Sequence, residues 1–467
     1  MSGSKGTLRE MLRGGAGVAI AMAVMNVGTY GFTLVAARML GPKEYGAVAA
    51  LMGLLLVVNV LSLGLQATGA RQVAADPSHR ERIENRILVT ARRSAWALGL
   101  LCLVLSPLVT IALDLGSFVP ALLVAAIAVP LTVMGGQAGI FQGEKKWTPL
   151  AAVYLGMGLG RLGFGALGVY LRPDATGAMA GVLLGAVVPV LIGGWALRRR
   201  RGGEGPGPAP MRTVLREVAH NSHALLAFFA LTNADVVLAR ITLDAHDAGL
   251  YAGGLILAKA VLFLPQFVVV IAFPAMASEG AQRMYLKGVA LVGGIGVVAT
   301  AGAWAVGELV VVGSGDARRS LVVEFVGGAE YAEIEHQLWL FALLGTLFAM
   351  TQVMVYEVVA RQHRGAVYAV WAGLAVLGVV VPVAATATGL ISVVITVNAA
   401  VLVALLLVAV LQGRGHRPPA VPGVGTPGEP GASAATAPGP EAGPAPTSVR
   451  GGVPADARAD GDVERHP

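Results

Sequence analysis

Long apolar stretches constrain the fold of this chain more than any other feature of its sequence. Stretches of about 20 residues recur from residue 14 to residue 411 of 467, and each could cross a hydrocarbon core of about 30 Å as a helix. Charged residues make up only 13% of the chain and the mean hydropathy is +0.71, whereas a soluble domain needs a far more charged surface. The sequence therefore predicts an all-α polytopic membrane protein, because a helix satisfies its own backbone hydrogen bonds in lipid.

Twelve transmembrane helices are predicted, six on each side of a basic, Gly/Pro-rich linker. The first six cover residues 14–37, 46–69, 87–112, 118–141, 148–171 and 175–197. The second six cover residues 218–240, 248–275, 287–312, 337–360, 365–387 and 389–411. The predicted domains are therefore a six-helix bundle over 14–197, a cytoplasmic linker over 198–217 and a second six-helix bundle over 218–411.

The distribution of basic residues predicts the orientation of these spans. With the N-terminus in the cytoplasm, 23 Lys and Arg residues up to Arg417 fall on the cytoplasmic side and 6 fall on the outer side. Such a bias is typical of cytoplasmic loops, so both termini are predicted to be cytoplasmic in a multi-pass cell membrane protein of bacterial type. Residues 1–13 are predicted as a cytoplasmic segment, because the first apolar run is too long for a signal peptide.

The remaining composition excludes several other classes of protein. The net charge of +7 lies mostly in short connections between spans, which argues against nucleic acid as a partner. The eight histidines show no ligand spacing and the single Cys102 lies in an apolar run, so no metal site and no cofactor are predicted. Residues 412–467 hold 11 of the 25 prolines and no aromatic residue, which predicts a disordered cytoplasmic tail.

Two similar strings lie about two hundred residues apart. "ARMLGPKEYGAVAA" covers residues 37–50 and "ARITLDAHDAGLYAGG" covers residues 239–254. Each joins the first and second spans of its half, on the same predicted side of the membrane. Because six spans return the chain to its starting side, the two similar strings predict that a six-span unit has been duplicated, with the two copies related by a pseudo-twofold axis along the membrane normal. Transporters of this kind carry their substrate between the halves and rock the halves in alternating access.

The first string resembles polysaccharide flippases of the multidrug/oligosaccharidyl-lipid/polysaccharide exporter superfamily. That family has an Arg-x-Leu-Gly-Pro-x-x-Tyr-Gly string between its first two spans, and "FVGGAEYAE" at 325–333 resembles its Phe-Gly-x-x-Tyr stretch, with one extra Gly. The resemblance covers residues 14–411 and implies two six-helix bundles around a central cavity. It also implies a polyprenyl-pyrophosphate-linked glycan as substrate, turned from the inner to the outer leaflet, with membrane lipids and glycan-assembly proteins as further partners.

Ionisable residues deep inside spans are the candidate site residues, since each costs about 2.5–3.5 kcal/mol unless it faces a cavity or a partner. Arg161 lies near the middle of span 5 and Lys259 near the middle of span 8, one in each half. They are predicted to give a substrate cavity its positive charge, or else to pair with backbone carbonyls or a buried acid. Asp235 in span 7 is the candidate for ion coupling; its other interpretation is a helix-end acid near Arg240.

Neutral polar residues in the spans are a second set of candidates. Asn26, Asn59 and Gln66 are predicted to line the sugar path, although hydrogen bonding between helices is the more common use of such side chains.

Three functions stay open at this point. The leading one is a lipid-linked oligosaccharide flippase, and the second is a cation-coupled drug or metabolite antiporter of the same superfamily. The third is a membrane glycosyltransferase or polymerase, which would need paired carboxylates in a substantial outer loop. The sequence offers no such pair, so the protein is predicted not to be an enzyme.

Overall fold

The structure is a computed structural model and describes most of the predicted membrane region. The described residues are 3–76, 78–198, 211–276, 284–309, 311–312, 319–320, 328–361, 364–383 and 386–413. The predicted tail from residue 412 therefore lies almost entirely outside the described residues, as does much of the predicted linker.

Helices make up nearly all of the described structure. They are α1 (Gly3–Val58), α2 (Val60–Ala75), α3 (Arg80–Ala112), α4 (Val119–Gly143), α5 (Trp147–Leu171), α6 (Ala175–Arg198), α7 (Met211–Thr242), α8 (Ala245–Met276), α9 (Met284–Leu309), α10 (Leu338–Arg361), α11 (Arg364–Val380) and α12 (Ala387–Gly413). Two 3₁₀ helices cover Ala329–Gln337 and Val381–Val383. A two-residue antiparallel pairing joins β1 (Val311–Val312) to β2 (Arg319–Ser320).

A sharp break divides α1 into two arms that correspond to the first two predicted spans. Gly41 has φ 69° and ψ 172°, a backbone conformation that L side chains rarely adopt, and Pro42 starts the second arm. The second arm continues through Asn59, whose backbone is still helical, into α2. The Gly-Pro pair of the first string therefore forms the turn between two spans.

Hydropathy and length identify nine of the described helical segments as candidate membrane spans. The first of these runs from Ala16 to Ala75 and contains both arms of α1 together with α2, that is, two predicted spans. A shorter apolar helix covers Val367–Val380. The polytopic helical fold is confirmed, while the total of twelve spans stays a prediction.

The helices of the two halves pair in the same pattern. In the first half, the first span packs on α5, and α2 packs on α4. Helix α4 also packs on α3 and on α6, and α6 packs on α5. In the second half, α7 packs on α11, α8 on α10, α9 on α10, α10 on α12 and α11 on α12. Each pair in the second half lies six spans after its counterpart, which is the arrangement that a duplication of one six-helix unit produces.

The loops separate to the two ends of the helices. At one end, the turns that follow the first, third and seventh spans meet around Arg240. The turn that follows the fifth span reaches the same end, because the backbone N–H of Ala175 donates to the carboxylate of Glu44 at 3.2 Å. We call this the predicted outer end. At the other end, the predicted inner end, the carboxylate of Glu144 accepts from Arg80 and from Lys146. Successive described helices of the first half therefore cross in alternating directions.

Candidate functional site

Asp235 lies in the interior of the second half. Its side chain is fully buried, its Oδ1 accepts the backbone N–H of Val236 at 2.8 Å, and its Oδ2 accepts the hydroxyl of Tyr251 at 3.3 Å. Tyr251 is itself fully buried and packs edge-on against Phe341 of α10, with 5.3 Å between the ring centroids. A carboxylate thus sits where α7, α8 and α10 meet, held by one phenol and one backbone amide.

The interpretation of Asp235 as a helix-end acid near Arg240 is not what the structure shows. Arg240 donates to backbone carbonyls at the predicted outer end, and within the described residues no hydrogen bond or ion pair joins its guanidinium to Asp235. Asn233, two residues before Asp235, is also buried, and its amide donates to the carbonyl of Phe229 at 2.9 Å. Its Oδ1 has no hydrogen-bond partner in the described part of the chain, so α7 holds two acceptor groups in its buried part.

Lys259 lies two turns after Tyr251 on α8. Its side chain is half-buried, and it is near enough to Asp235 for the two charges to interact. No ion pair or hydrogen bond of Lys259 is found among the residues that the structure describes. Among the described residues, the ammonium group is therefore an interior cation beside a buried acid and is not held in a salt bridge.

Arg161 lies in the first half, where α5 packs between α1 and α6. Its side chain is only 6% exposed, and within the described ranges it has neither an acidic partner nor a hydrogen bond. The first arm of α1 contacts both α5 and α8. Arg161 and Lys259 therefore lie in different halves, on two helices that both pack against α1.

Glycines let the helices around Arg161 approach at backbone contact. A Cβ on Gly158 would lie 2.9 Å from the carbonyl oxygen of Met25 in α1, and one on Gly185 would lie 2.8 Å from the backbone nitrogen of Arg161. Such close approach is typical of small residues at helix interfaces in membranes. These contacts fix the position of the Arg161 backbone between two neighbouring helices.

The neutral candidates differ in their surroundings. Asn26 is half-buried in the first arm of α1. Asn59 lies at the junction of α1 and α2, and its buried Oδ1 has no hydrogen-bond partner in the described structure. The amide of Gln66 donates to the side-chain oxygen of Gln142 at 3.1 Å and to the hydroxyl of Tyr154 at 2.7 Å.

Two features of the interior were missed from the sequence alone. Tyr251 belongs to the second string but was not assigned a role, although it is the side-chain donor to Asp235. Tyr30 of α1 donates its hydroxyl to the carbonyl of Ile256 on α8 at 3.1 Å, which links the two halves. The available signal was the presence of a polar phenol inside an apolar span, where it needs a partner.

A polar cavity of about 390 Å³ opens at the predicted outer end. It is formed by the loops of the first half together with α7, and its charged lining consists of Lys43, Glu44, Asp114, Arg172, Asp174 and Arg240. No group of three His, Cys, Asp or Glu side chains suited to a metal ion occurs in the part of the chain that the structure describes.

Comparison with known families matches residues 14–279 to the model described as polysaccharide biosynthesis protein. The match covers more than half of the chain. The chain belongs to the polysaccharide biosynthesis protein family. A search of curated protein sequences finds no significant relative.

Solved structures place this member of the polysaccharide biosynthesis protein family in a fold shared with multidrug transporters. An inward-facing multidrug resistance MATE family transporter of the MOP superfamily superposes with a TM-score of 0.60 at 15% identity, covering 84% of this chain and 93% of that chain. The eukaryotic MATE transporter AtDTX14 gives 0.58 at 15% identity, with 87% and 98% covered. An outward-facing MATE transporter gives 0.56 at 14% identity, with 87% and 95% covered. At these identities the similarity establishes the fold.

Proposed function

We propose that the protein flips a lipid-linked oligosaccharide, or another polysaccharide precursor on a polyprenyl-pyrophosphate carrier, across the cell membrane by alternating access. The observation that carries this proposal is the family match over residues 14–279, in a chain whose fold is that of membrane transporters. A polysaccharide pathway that assembles its intermediates on lipid inside the cell needs a step that moves them outward. A duplicated helical bundle provides that step without covalent chemistry, and we assign the protein no enzymatic activity.

Interior cations supply the recognition that a pyrophosphate-linked substrate needs. Lys259 is a half-buried ammonium and Arg161 a nearly buried guanidinium, and within the described residues neither forms an ion pair. Fixed cations in surroundings of low dielectric attract an anionic group far more strongly than they would in water. Because α1 packs against the helices of both cations, we propose that the substrate meets them in succession as α1 moves, with Asn26, Asn59 and Gln66 contacting the sugars.

Asp235 is the proposed site of ion coupling. The carboxylate is fully buried, and the only side-chain donor to it among the residues that the structure describes is the hydroxyl of Tyr251, at a long 3.3 Å. Lys259 lies close enough to interact electrostatically with the Asp235 carboxylate. A proton or a monovalent cation bound at Asp235 would remove the attraction between Asp235 and Lys259 and leave the ammonium available to the anionic substrate.

The second candidate function is a cation-coupled drug or metabolite antiporter. It is favoured by the fold, which multidrug transporters share, and by the buried acid at Asp235. The two candidates differ in substrate, so they predict different phenotypes. A flippase mutant accumulates lipid-linked precursor inside the cell, whereas an antiporter mutant gains sensitivity to a cationic drug.

The first experiment compares single variants in a strain whose own copy of the gene is deleted. We expect Lys259→Ala and Arg161→Ala each to lower surface glycan and to raise intracellular lipid-linked precursor at unchanged protein abundance, while Lys259→Arg is milder because it keeps the charge. The matched control is Lys43→Gln, which removes an exposed cation from the predicted outer end. Normal glycan export in both alanine variants would contradict the proposal, and a drug-sensitivity phenotype with normal glycan would favour the antiporter.

A further inference from the structure

Arg240 of the second half is bound almost entirely by the first half. It lies in the last turn of α7 and is only 7% exposed. Its Nε donates to the carbonyl of Leu113 at 3.0 Å, and its Nη2 donates to the carbonyl of Asp114 at 3.3 Å. Its Nη1 lies 3.4 Å from the carbonyl of Lys43 and 3.3 Å from that of Ala245. Only the last of these four acceptors belongs to the second half.

The acceptors suit a cation. Leu113 and Asp114 follow the C-terminus of α3, where unsatisfied carbonyls carry partial negative charge. Asp114 has a φ of 46°, so the chain turns sharply there and presents successive carbonyls to the guanidinium. Asp114 and Glu44 also lie within electrostatic reach of Arg240. A planar guanidinium presents its N–H donors in a rigid fork that serves several such acceptors at once, whereas an ammonium is a compact charge on a flexible stem.

The same region holds the closest approach of the two repeated strings. A Cβ on Gly46 of the first string would lie 3.0 Å from the Cα of Gly249 in the second, so these two glycines touch at their backbones. The hydroxyl of Tyr331 donates to the carbonyl of Ala37 at 3.4 Å across the same boundary. We call the contacts of Arg240, Gly46, Gly249 and Tyr331 the outer seam. It joins the halves at the predicted outer end.

We propose that Arg240 is the latch of the outer seam, and that the outer end opens only when its guanidinium leaves the carbonyls of Leu113, Asp114 and Lys43. The acceptors are backbone groups, so the latch depends on the shape of the Arg240 side chain and on no single partner side chain. This inference rests on the alternating-access part of the proposed function and is independent of the substrate. When the outer end opens, water and the polar cavity beside Arg240 would take over its hydrogen bonds.

Distance measurement between spin labels tests the latch directly. Cys102 is the single cysteine, so a Cys102→Ser background allows labels at two exposed positions, Pro173→Cys in the loop after α5 of the first half and His246→Cys in the first turn of α8 in the second half. In this background we expect Arg240→Gln to raise the ratio of long to short distances about tenfold, the effect of about one net charge-assisted hydrogen bond. Arg240→Lys keeps the buried charge and should shift the ratio in the same direction by less.

Two matched controls separate the latch from a general loss of charge. Lys43→Gln removes a cation beside the same cavity but keeps the carbonyl that Arg240 binds. Arg38→Gln removes the arginine at the equivalent place of the first string, whose side chain is exposed. Both should keep the distance distribution of the unmodified protein.

The outcomes distinguish the latch from the proposed function. An unchanged distribution in folded Arg240→Gln, or in folded Arg240→Lys if the glutamine variant does not fold, would overturn the latch. A shift equal to that of Lys43→Gln would overturn it too. A shift confined to the Arg240 variants supports the latch even if no glycan is flipped, in which case only the proposed substrate fails.

Discussion

Replacing Gly185 with alanine places a methyl group against the backbone of α5. The added Cβ would lie 2.7 Å from both the carbonyl carbon and the carbonyl oxygen of Gly160, and 2.8 Å from the nitrogen of Arg161. Non-bonded carbon atoms prefer about 3.5–4.0 Å, so α6 must move away from α5 by about 1 Å. Overpacking of this kind costs about 1–3 kcal/mol. At about 2–4 °C for each kcal/mol, we expect the unfolding temperature to fall by about 2–12 °C.

The matched control is Gly163→Ala on the neighbouring helix. Gly163 lies on α5, and a Cβ there meets nothing within 4 Å. Alanine should therefore be neutral or stabilising by about 0.5–1 kcal/mol, because glycine is the poorer helix former. The assay is the thermal loss of monodisperse protein in detergent, followed by size-exclusion chromatography. Equal unfolding temperatures for Gly185→Ala and Gly163→Ala would refute the backbone contact between α5 and α6, and with it the position assigned to Arg161.

Two further predictions concern the ends of the chain and of the helices. Deleting residues 418–467 should leave membrane insertion and glycan export intact, because a segment rich in Pro, Gly and Ala and without aromatic residues has no means of packing; loss of export at normal abundance would point to a partner-binding tail. Glu144→Gln should lower the free energy of unfolding by about 1–3 kcal/mol, because Glu144 is buried while its partners Arg80 and Lys146 are partly exposed. The exposed Glu81→Gln is its control, and equal unfolding temperatures for the two variants would disprove this role of Glu144.

The arrangement of helices could be predicted from the sequence because each span carries its own apolar signal. The predicted starts of some spans were less accurate. α3 begins at Arg80 rather than 87, since the charged stretch after Arg80 is an amphipathic helix with Ile83 and Ile87 buried. α7 likewise begins at Met211, seven residues before the predicted span. Hydropathy locates the apolar part of a helix, whereas the helix itself continues for as long as its backbone and one packed face allow.

The candidate site was predictable only in part, for a physical reason. An acidic residue inside an apolar span is rare and costly, so Asp235 could be selected from the sequence as a candidate. Its donor, Tyr251, is brought to it only by the packing of α7 against α8, which no spacing rule reveals. Arg240 is harder still, because three of its acceptors are backbone carbonyls in loops of the other half and carry no sequence signal. A prediction from side chains alone therefore finds charges but not their partners.

The central claim is that the protein moves a lipid-linked glycan across the membrane, and flipping in reconstituted vesicles tests it most directly. Purified protein is placed in liposomes that carry a polyprenyl-pyrophosphate oligosaccharide, and the glycan exposed outside is measured over time with a membrane-impermeant glycosidase. We predict that the whole glycan pool becomes accessible in vesicles with the unmodified protein or Lys43→Gln, and that access is slowed in vesicles with Lys259→Ala. Access limited to the outer leaflet's share, as in protein-free vesicles, would contradict the claim.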